Sequence, residues 1–278
     1  MSVLLFTGLA TVGAFSAGLL GALTGLGGGI IIVPMLTLLF HVDLRYAIGA
    51  SLVSVIATSS GAAAAYVKEG YTNVRVGMLL EIATTCGAIG GAYLAGQIGT
   101  RAIAVIFSVV LLYSAYRSTK PLAEHVTHEH AHPLAIKLRL NSTYPTPHGL
   151  QDYAVKAVPA GFSLMFLAGI LSGLLGIGSG ALKVLAMDQI MHLPFKVSTT
   201  TSNFMIGVTA AASAGIYLAR GYIDPGTALP VMLGVLAGAL VGARVLSGAH
   251  TPTLRRLFSI VVVVLALEML YKGLRGGV

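Results

Sequence analysis

Two glycine clusters stand at matching places in this chain, Gly25-Leu26-Gly27-Gly28-Gly29 and Gly176-Ile177-Gly178-Ser179-Gly180, each followed by a short apolar run. Glycine withdraws helix propensity and frees the backbone for turn conformations, so each cluster breaks a helix. A helix starting again at Ile30 or Ala181 aims free N–H groups and the positive end of its dipole at the break, a setting that suits an anion. Lys183 stands one turn into the second short run, and a cation in apolar surroundings is costly enough to be a functional candidate. The next run of each half opens with small polar side chains: Ser51, Ser54, Thr58 and Ser59 in the first, Ser198 to Asn203 in the second. Hydroxyls and amides hydrogen-bond without a fixed charge and can replace water around a dehydrated oxyanion. The candidate binding residues are therefore Gly25, Gly27, Gly28, Gly29, Gly176, Gly178, Ser179, Gly180, Lys183, Ser51, Ser202 and Asn203.

Each feature also has a plainer explanation. Ser and Thr in membrane helices bond back to their own carbonyls, glycines let helices approach, and a Lys can snorkel to the interface. The spacings Gly87-x3-Gly91 and Gly238-x3-Gly242 read as packing, whereas two matched breaks with Lys183 between apolar residues favour a site. Glu81 lies inside an apolar span, where a carboxylate carries a coupling proton or pairs with a cation such as Lys183; it is the coupling candidate. Asp188 reads as a membrane-edge residue. Arg45 and Lys196 read as neutralising the C-termini of the short helices. His125, His128, His130, His132 and His148, with Glu129, lie in a polar segment; alternate His residues suit a transition metal or a pH sensor, with a solvated loop as the default. Cys86, the single cysteine, reads as packed and rules out an internal disulfide.

The elements that position these residues follow from the apolar pattern. The 278 residues are 56% apolar and only 9% charged, against about 25% charged in an ordinary globular protein, which excludes soluble domains. The net charge of +8 comes from Lys and Arg scattered singly between apolar runs, the distribution of membrane loops and not of a nucleic-acid surface. No charge precedes Asp43, and 42 residues of helix would reach about 63 Å against a core of about 30 Å, so the opening stretch must break at the first glycine cluster. No basic n-region precedes it, so its first run is expected to remain as a span. Spans are expected at 3–24, 47–67, 74–95 and 102–116, with a short run at 30–40. The polar segment interrupts the pattern from Arg117 to Lys156. The order then recurs: 158–175, a short run to Met191, 197–219, 227–246 and 254–271.

Sliding the sequence by 151 residues gives 16 identities over the 57 positions from Phe15/Phe166 to Tyr71/Tyr222, including His41/His192 and a paired Tyr-x3-Gly-Tyr. His and Tyr are uncommon here, so the chain is a duplicated membrane module. The expected fold is all-α and polytopic, with two homologous repeats of about five helical segments each: a first repeat at 1–117, a central cytoplasmic loop at 118–156 and a second repeat at 157–278. If all five segments cross, the second copy is inverted; if the short runs re-enter, the copies are parallel. The symmetric breaks favour inversion. The Lys- and Arg-rich central loop belongs to the cytoplasmic side. No nucleophile elbow, H-E-x-x-H or phosphate loop occurs, so neither an enzyme nor a cofactor is expected.

At Gly25 to Pro34, with the echo at Gly176 to Val184, the sequence resembles the TauE/SafE family of sulfite exporters, also called the 4-toluene sulfonate uptake permease family. The match runs through 47–70 and 194–221. The resemblance implies secondary transport of sulfite, thiosulfate, sulfonates or related oxyanions across a prokaryotic cell membrane, with a small anion, the bilayer and a coupling proton or other ion as partners. Ser179 and Leu185 depart from the repeated pattern, and with Lys183 they make the halves unequal. The rival readings are a metal-cation permease using Glu81, Asp188 and the loop histidines, a carrier of another organic anion, and a non-transporting scaffold.

Overall fold

The structure, a computed structural model, describes residues 3–24, 28–68, 70–119, 131–146, 149–245 and 251–275. The first half comprises α1 (Val3–Thr24), a short α2 (Gly29–Pro34) continued by a π turn (Met35–Leu39), α3 (Leu44–Lys68), α4 (Val74–Ala95) and α5 (Thr100–Thr119). Then come a one-turn α6 (Pro133–Lys137) and a hairpin, β1 (Ser142–Thr146) with β2 (Gly149–Tyr153). The second half repeats the first: α7 (Val158–Leu175), α8 (Gly180–Leu185) with a π turn (Ala186–Ile190), α9 (Phe195–Ala219), α10 (Pro225–Val245) and α11 (Thr251–Arg275). Among the described residues, five helices are long and apolar enough to cross a membrane by length and composition: α1, α4, α7, α9 and α10.

The repeated residues do the same local work twice. Both short helices end in a π turn, and the second residue past it, His41 or His192, takes a left-handed conformation with φ of 55° and 57°. Histidine is among the few side chains enriched there. The chain then closes back through Val42 N to Leu36 O and Leu193 N to Met187 O, at 3.0 and 2.9 Å. Gly70 and Gly221, with φ of 76° and 74°, turn the chain after α3 and α9. The identities are thus the signals that stop the helices.

The copies pack by exchanging helices, α1 against α10 and α4 against α7. Repeat-related glycines make the close approach possible: a side chain at Gly18 would strike the Val235 carbonyl, and one at Gly169 the Thr84 carbonyl. Gly87 and Gly91 sit against Phe166 and Ile170, while Gly238 and Gly242 sit against Phe15 and Leu19, which is the packing role read for them. At the centre α3 crosses α9. The start of α3 meets the chain just past the end of α9, through Arg45 and Tyr222, and the chain just past α3 meets the start of α9, through Asn73 and Thr201. These two repeat-related helices therefore run in opposite directions. So do α5 and α11, where Ser259 bonds to Ala115 O and Gly273 lies over Ala104.

The polar segment is more than a solvated loop. Residues 131–146 and 149–156 fold onto the ends of α4, α7 and α9, where Ala135, Leu140, Tyr153 and Val155 join a buried cluster with Val76, Val158, Met187, Met191 and Val197. Asn73 is the hub: its Oδ1 accepts from Val76 N and caps α4, and its Nδ2 donates to Leu140 O and the Tyr153 hydroxyl, at 2.8 and 2.7 Å. Burial pushes the Tyr153 phenol up to about 12, partly offset by its hydrogen bonds to Asn73 and Ser142.

Candidate functional site

The two helix breaks, about 150 residues apart in sequence, meet between α3 and α9. Gly29 lies against the Gly176 carbonyl, so close that an added side chain would press on it and on Ser51 Oγ. Ser51 donates to Gly176 O at 2.8 Å, tying the first copy to the break of the second, and Ser202 donates to Gly180 O at 3.3 Å. The second break is distorted. Gly176, Gly178 and Ser179 all have positive φ, of 67°, 70° and 49°. For Ser179 that conformation costs about 1–2 kcal/mol, a cost found at functional positions more often than elsewhere. The Ser179 and Ser172 hydroxyls are buried and have no hydrogen-bond partner among the described residues.

A polar triad lies close by. Lys183, on α8, is wholly buried, and its Nζ donates to Thr209 Oγ1 on α9. Thr209 donates to Glu81 Oε1 on α4 at 2.6 Å, and Thr85 donates to the same oxygen at 3.0 Å. Glu81 Oε2 lies 3.8 Å from Lys183 Nζ and has no hydrogen bond among the described residues. The glutamate is 7% exposed, so the bilayer interior holds a nearly dry ion pair bridged by one hydroxyl. Glu81 belongs to the first repeat and Lys183 and Thr209 to the second; the positions related to them by 151 residues hold Met232, Ile32 and Thr58, so the charged pair is not duplicated.

A duplicated helical chain with paired breaks and an intramembrane ion pair has the plan of a secondary transporter. The family model described as "Sulfite exporter TauE/SafE" matches residues 10–269. The chain belongs to the TauE/SafE family. It is a multi-pass membrane protein of a transporter family, similar over 266 residues, at 30% identity, to "Probable membrane transporter protein YunE" of Bacillus subtilis (strain 168). That alignment covers 93% of this chain and 95% of the relative. "Probable membrane transporter protein YdhB" of the same organism is 28% identical over 83% of this chain and 86% of its own length. "Probable membrane transporter protein ORF9" of Sinorhizobium sp is 24% identical over 93% and 90%. No solved structure matches the chain.

Of the residues expected at the TauE/SafE site, Gly28, Gly29, Gly176, Gly178, Ser179, Gly180, Ser51 and Ser202 line the two breaks, while Gly25 and Gly27 lie outside the described residues. Asn203 takes part through its backbone: Ser59 Oγ donates to Asn203 O at 2.5 Å and accepts from Gly207 N at 2.9 Å. Ser59 is thus wedged between the two ends of one rung of α9, a side-chain insertion of the kind that bends helices. Lys183 is paired with Glu81 and does not project freely at the breaks. His125, His128, His130, His148 and Glu129 lie outside the described residues, and His132 caps α6 by accepting from Leu134 N.

Several expectations are corrected. Arg45 does not neutralise the first short helix; its guanidinium donates to Tyr222 OH and Ile98 O and lies over the Tyr222 ring. Lys196 sits over the Tyr71 ring, and Lys272 is the residue that reaches the short helix, at Leu38 O. Cys86 is exposed, not packed, and Asp188 is buried in its π turn. Ser59 was legible in the sequence only as one of the small polar residues opening its run, and Thr209, Ser172 and Asn73 were missed. Of those three, Thr209 left a trace as one of the repeated identities with Thr58.

Proposed function

We propose that this protein is a secondary transporter of small sulfur-containing oxyanions that works by alternating access around the junction of the two breaks. In this reading the repeats 1–117 and 157–278 are inverted copies joined by a cytoplasmic segment, 118–156. The opposed directions of the repeat-related pairs α3/α9 and α5/α11 support inversion. The observation that carries the proposal is the convergence of Gly29, Ser51 and Gly176 beside the unpartnered Ser179 and Ser172 hydroxyls. Irregular backbone and unsatisfied hydroxyls at this depth are tolerated where they line a polar cargo's path. Backbone N–H groups of the breaks and these hydroxyls then supply the donors, Lys183 the charge, and Ser51, Ser202 and Asn203 the walls. Sulfur oxyanions are the substrate class because the family's description names sulfite, and an anion with several oxygens suits many short donors.

The experiment is flux and binding in parallel. Purified protein in liposomes is tested with labelled sulfite, thiosulfate, methanesulfonate and acetate, and the same panel is added in detergent during thermal unfolding. The proposal expects a sulfur oxyanion both to cross and to raise the unfolding temperature, and Ser179→Val to weaken both. Equal indifference to every anion, or flux of divalent metal ions in their place, sinks it.

A further inference from the structure

We propose that Glu81 is the stand-in for the transported anion at Lys183, and that one proton, taken up on Glu81 Oε2, travels with each anion that displaces it. The proposal rests on the transporter reading above and names the coupling ion of the same site.

A wholly buried ammonium needs a negative partner at every stage of a transport cycle, because leaving it alone in the membrane interior costs several kcal/mol. Glu81 supplies that partner without cargo, but only in part. Its Oε1 takes both hydroxyl bonds, from Thr209 and Thr85, while Oε2 stands 3.8 Å from the ammonium with no hydrogen bond. A charge-assisted hydrogen bond would close to about 2.8 Å. One oxygen is therefore held by neutral donors and the other is open to competition.

An oxyanion that reaches Lys183 from the breaks brings a second negative charge beside the carboxylate, and two anions so close do not both stay ionised in dry surroundings. A proton on Oε2 resolves the conflict. The site passes from Lys183⁺ with Glu81⁻ to Lys183⁺ with the anion and neutral Glu81. It is uncharged before and after with a monoanion, and carries one extra negative charge with a dianion. Thr209 keeps contact throughout, since its hydroxyl has Thr84 Oγ1 at 3.5 Å and Met205 O at 3.1 Å as alternative partners.

The elements around Glu81 bring few other titratable groups. The α8 segment offers Lys183 and, in its π turn, Asp188; α9 carries Lys196 and Tyr217; α4 carries Arg75, Cys86 and Tyr93; α7 carries none. Because Ile32 and Met232 stand at the places related by the repeat to Lys183 and Glu81, one protein has one such exchanger and the ratio is one proton per anion.

The test uses the full chain in liposomes with a trapped pH dye, with methanesulfonate and thiosulfate as probes because neither takes up a proton near neutral pH. A pH gradient of one unit, acid outside, should drive roughly tenfold accumulation of methanesulfonate independently of voltage. Thiosulfate uptake should move protons too but respond to voltage, and Glu81→Gln should lose the pH-driven component for both. Flux of either anion without proton movement, or pH-driven uptake that survives Glu81→Gln, overturns the proposal while leaving the transporter reading in place. If neither probe crosses, the transporter reading fails for them, and infrared spectra of the pair still decide the stand-in. At pH 7, Lys183→Met should show the carbonyl band of a protonated carboxyl, absent in the wild type and in Lys183→Met/Glu81→Gln. A missing band in Lys183→Met overturns the proposal.

Discussion

Replacing Lys183 by Met leaves the Glu81 carboxylate in the bilayer interior with two hydroxyls and no counter-charge. Removing one member of a buried ion pair costs about 3–5 kcal/mol because the survivor is uncompensated. Protonation sets a ceiling on that cost. Holding a proton on an ordinary glutamate at pH 7 costs roughly 3.7 kcal/mol, from a reference value of about 4.3 and about 1.36 kcal/mol per pH step, and at pH 5 only about 1 kcal/mol. The lost bond from Lys183 to Thr209 adds about 1 kcal/mol at either pH. The sign follows: a carboxyl that must be neutral in the fold and is ionised when unfolded destabilises more as pH rises. Lys183→Met should therefore unfold well below the wild type at pH 7 and much closer to it at pH 5. The double variant Lys183→Met/Glu81→Gln should recover most of the loss, since replacing both partners of a buried pair is often neutral. Far-UV circular dichroism during heating in detergent, at one scan rate for all four proteins, reads the order. A loss of the same size at both pH values, or a double variant no better than Lys183→Met, would refute the reasoning.

Three other outcomes follow from the packing. Gly91→Ala drives a methyl into the Ile170 carbonyl between α4 and α7, so the folded fraction in size-exclusion chromatography should collapse, while Gly90→Ala, with open space around it, should behave as wild type. Asn73→Ala removes the α4 cap and both tethers of the hairpin segment, at about 1 kcal/mol per lost bond, and should speed proteolysis within 131–156 several-fold. Tyr153 should stay neutral where free tyrosine ionises. Its folded value is raised to about 12, so its contribution is full below about pH 10 and is lost as pH climbs toward 12, which a near-UV tyrosinate titration with and without Tyr153→Phe can follow.

Much of the fold was legible because a bilayer leaves little choice. A segment in lipid must satisfy its own backbone, so apolar length alone placed α1, α4 and α7 at 3–24, 74–95 and 158–175, residue for residue. The helix stops are legible too, although only as repeats: His41 and His192 recur because both take a left-handed backbone past a short helix. The hairpin of 131–156 was not, since a polar segment broken by Pro133 and Pro145 carries no periodic signal. Its order comes from Asn73, a residue of another connection.

The sequence by itself determined that the chain is a duplicated membrane module with two breaks and with Glu81 and Lys183 as charges inside apolar runs, because residue type and spacing are sufficient for hydropathy and repeats. Only the tertiary structure decided which side chains meet. Gly29 faces Gly176, Lys183 reaches Glu81 through Thr209, and Ser59 enters the ladder of α9. These contacts depend on the exchange of helices between the copies and on the opposed crossing of α3 and α9. Nothing local in the sequence encodes either, since both arise from how glycine-lined faces fit together.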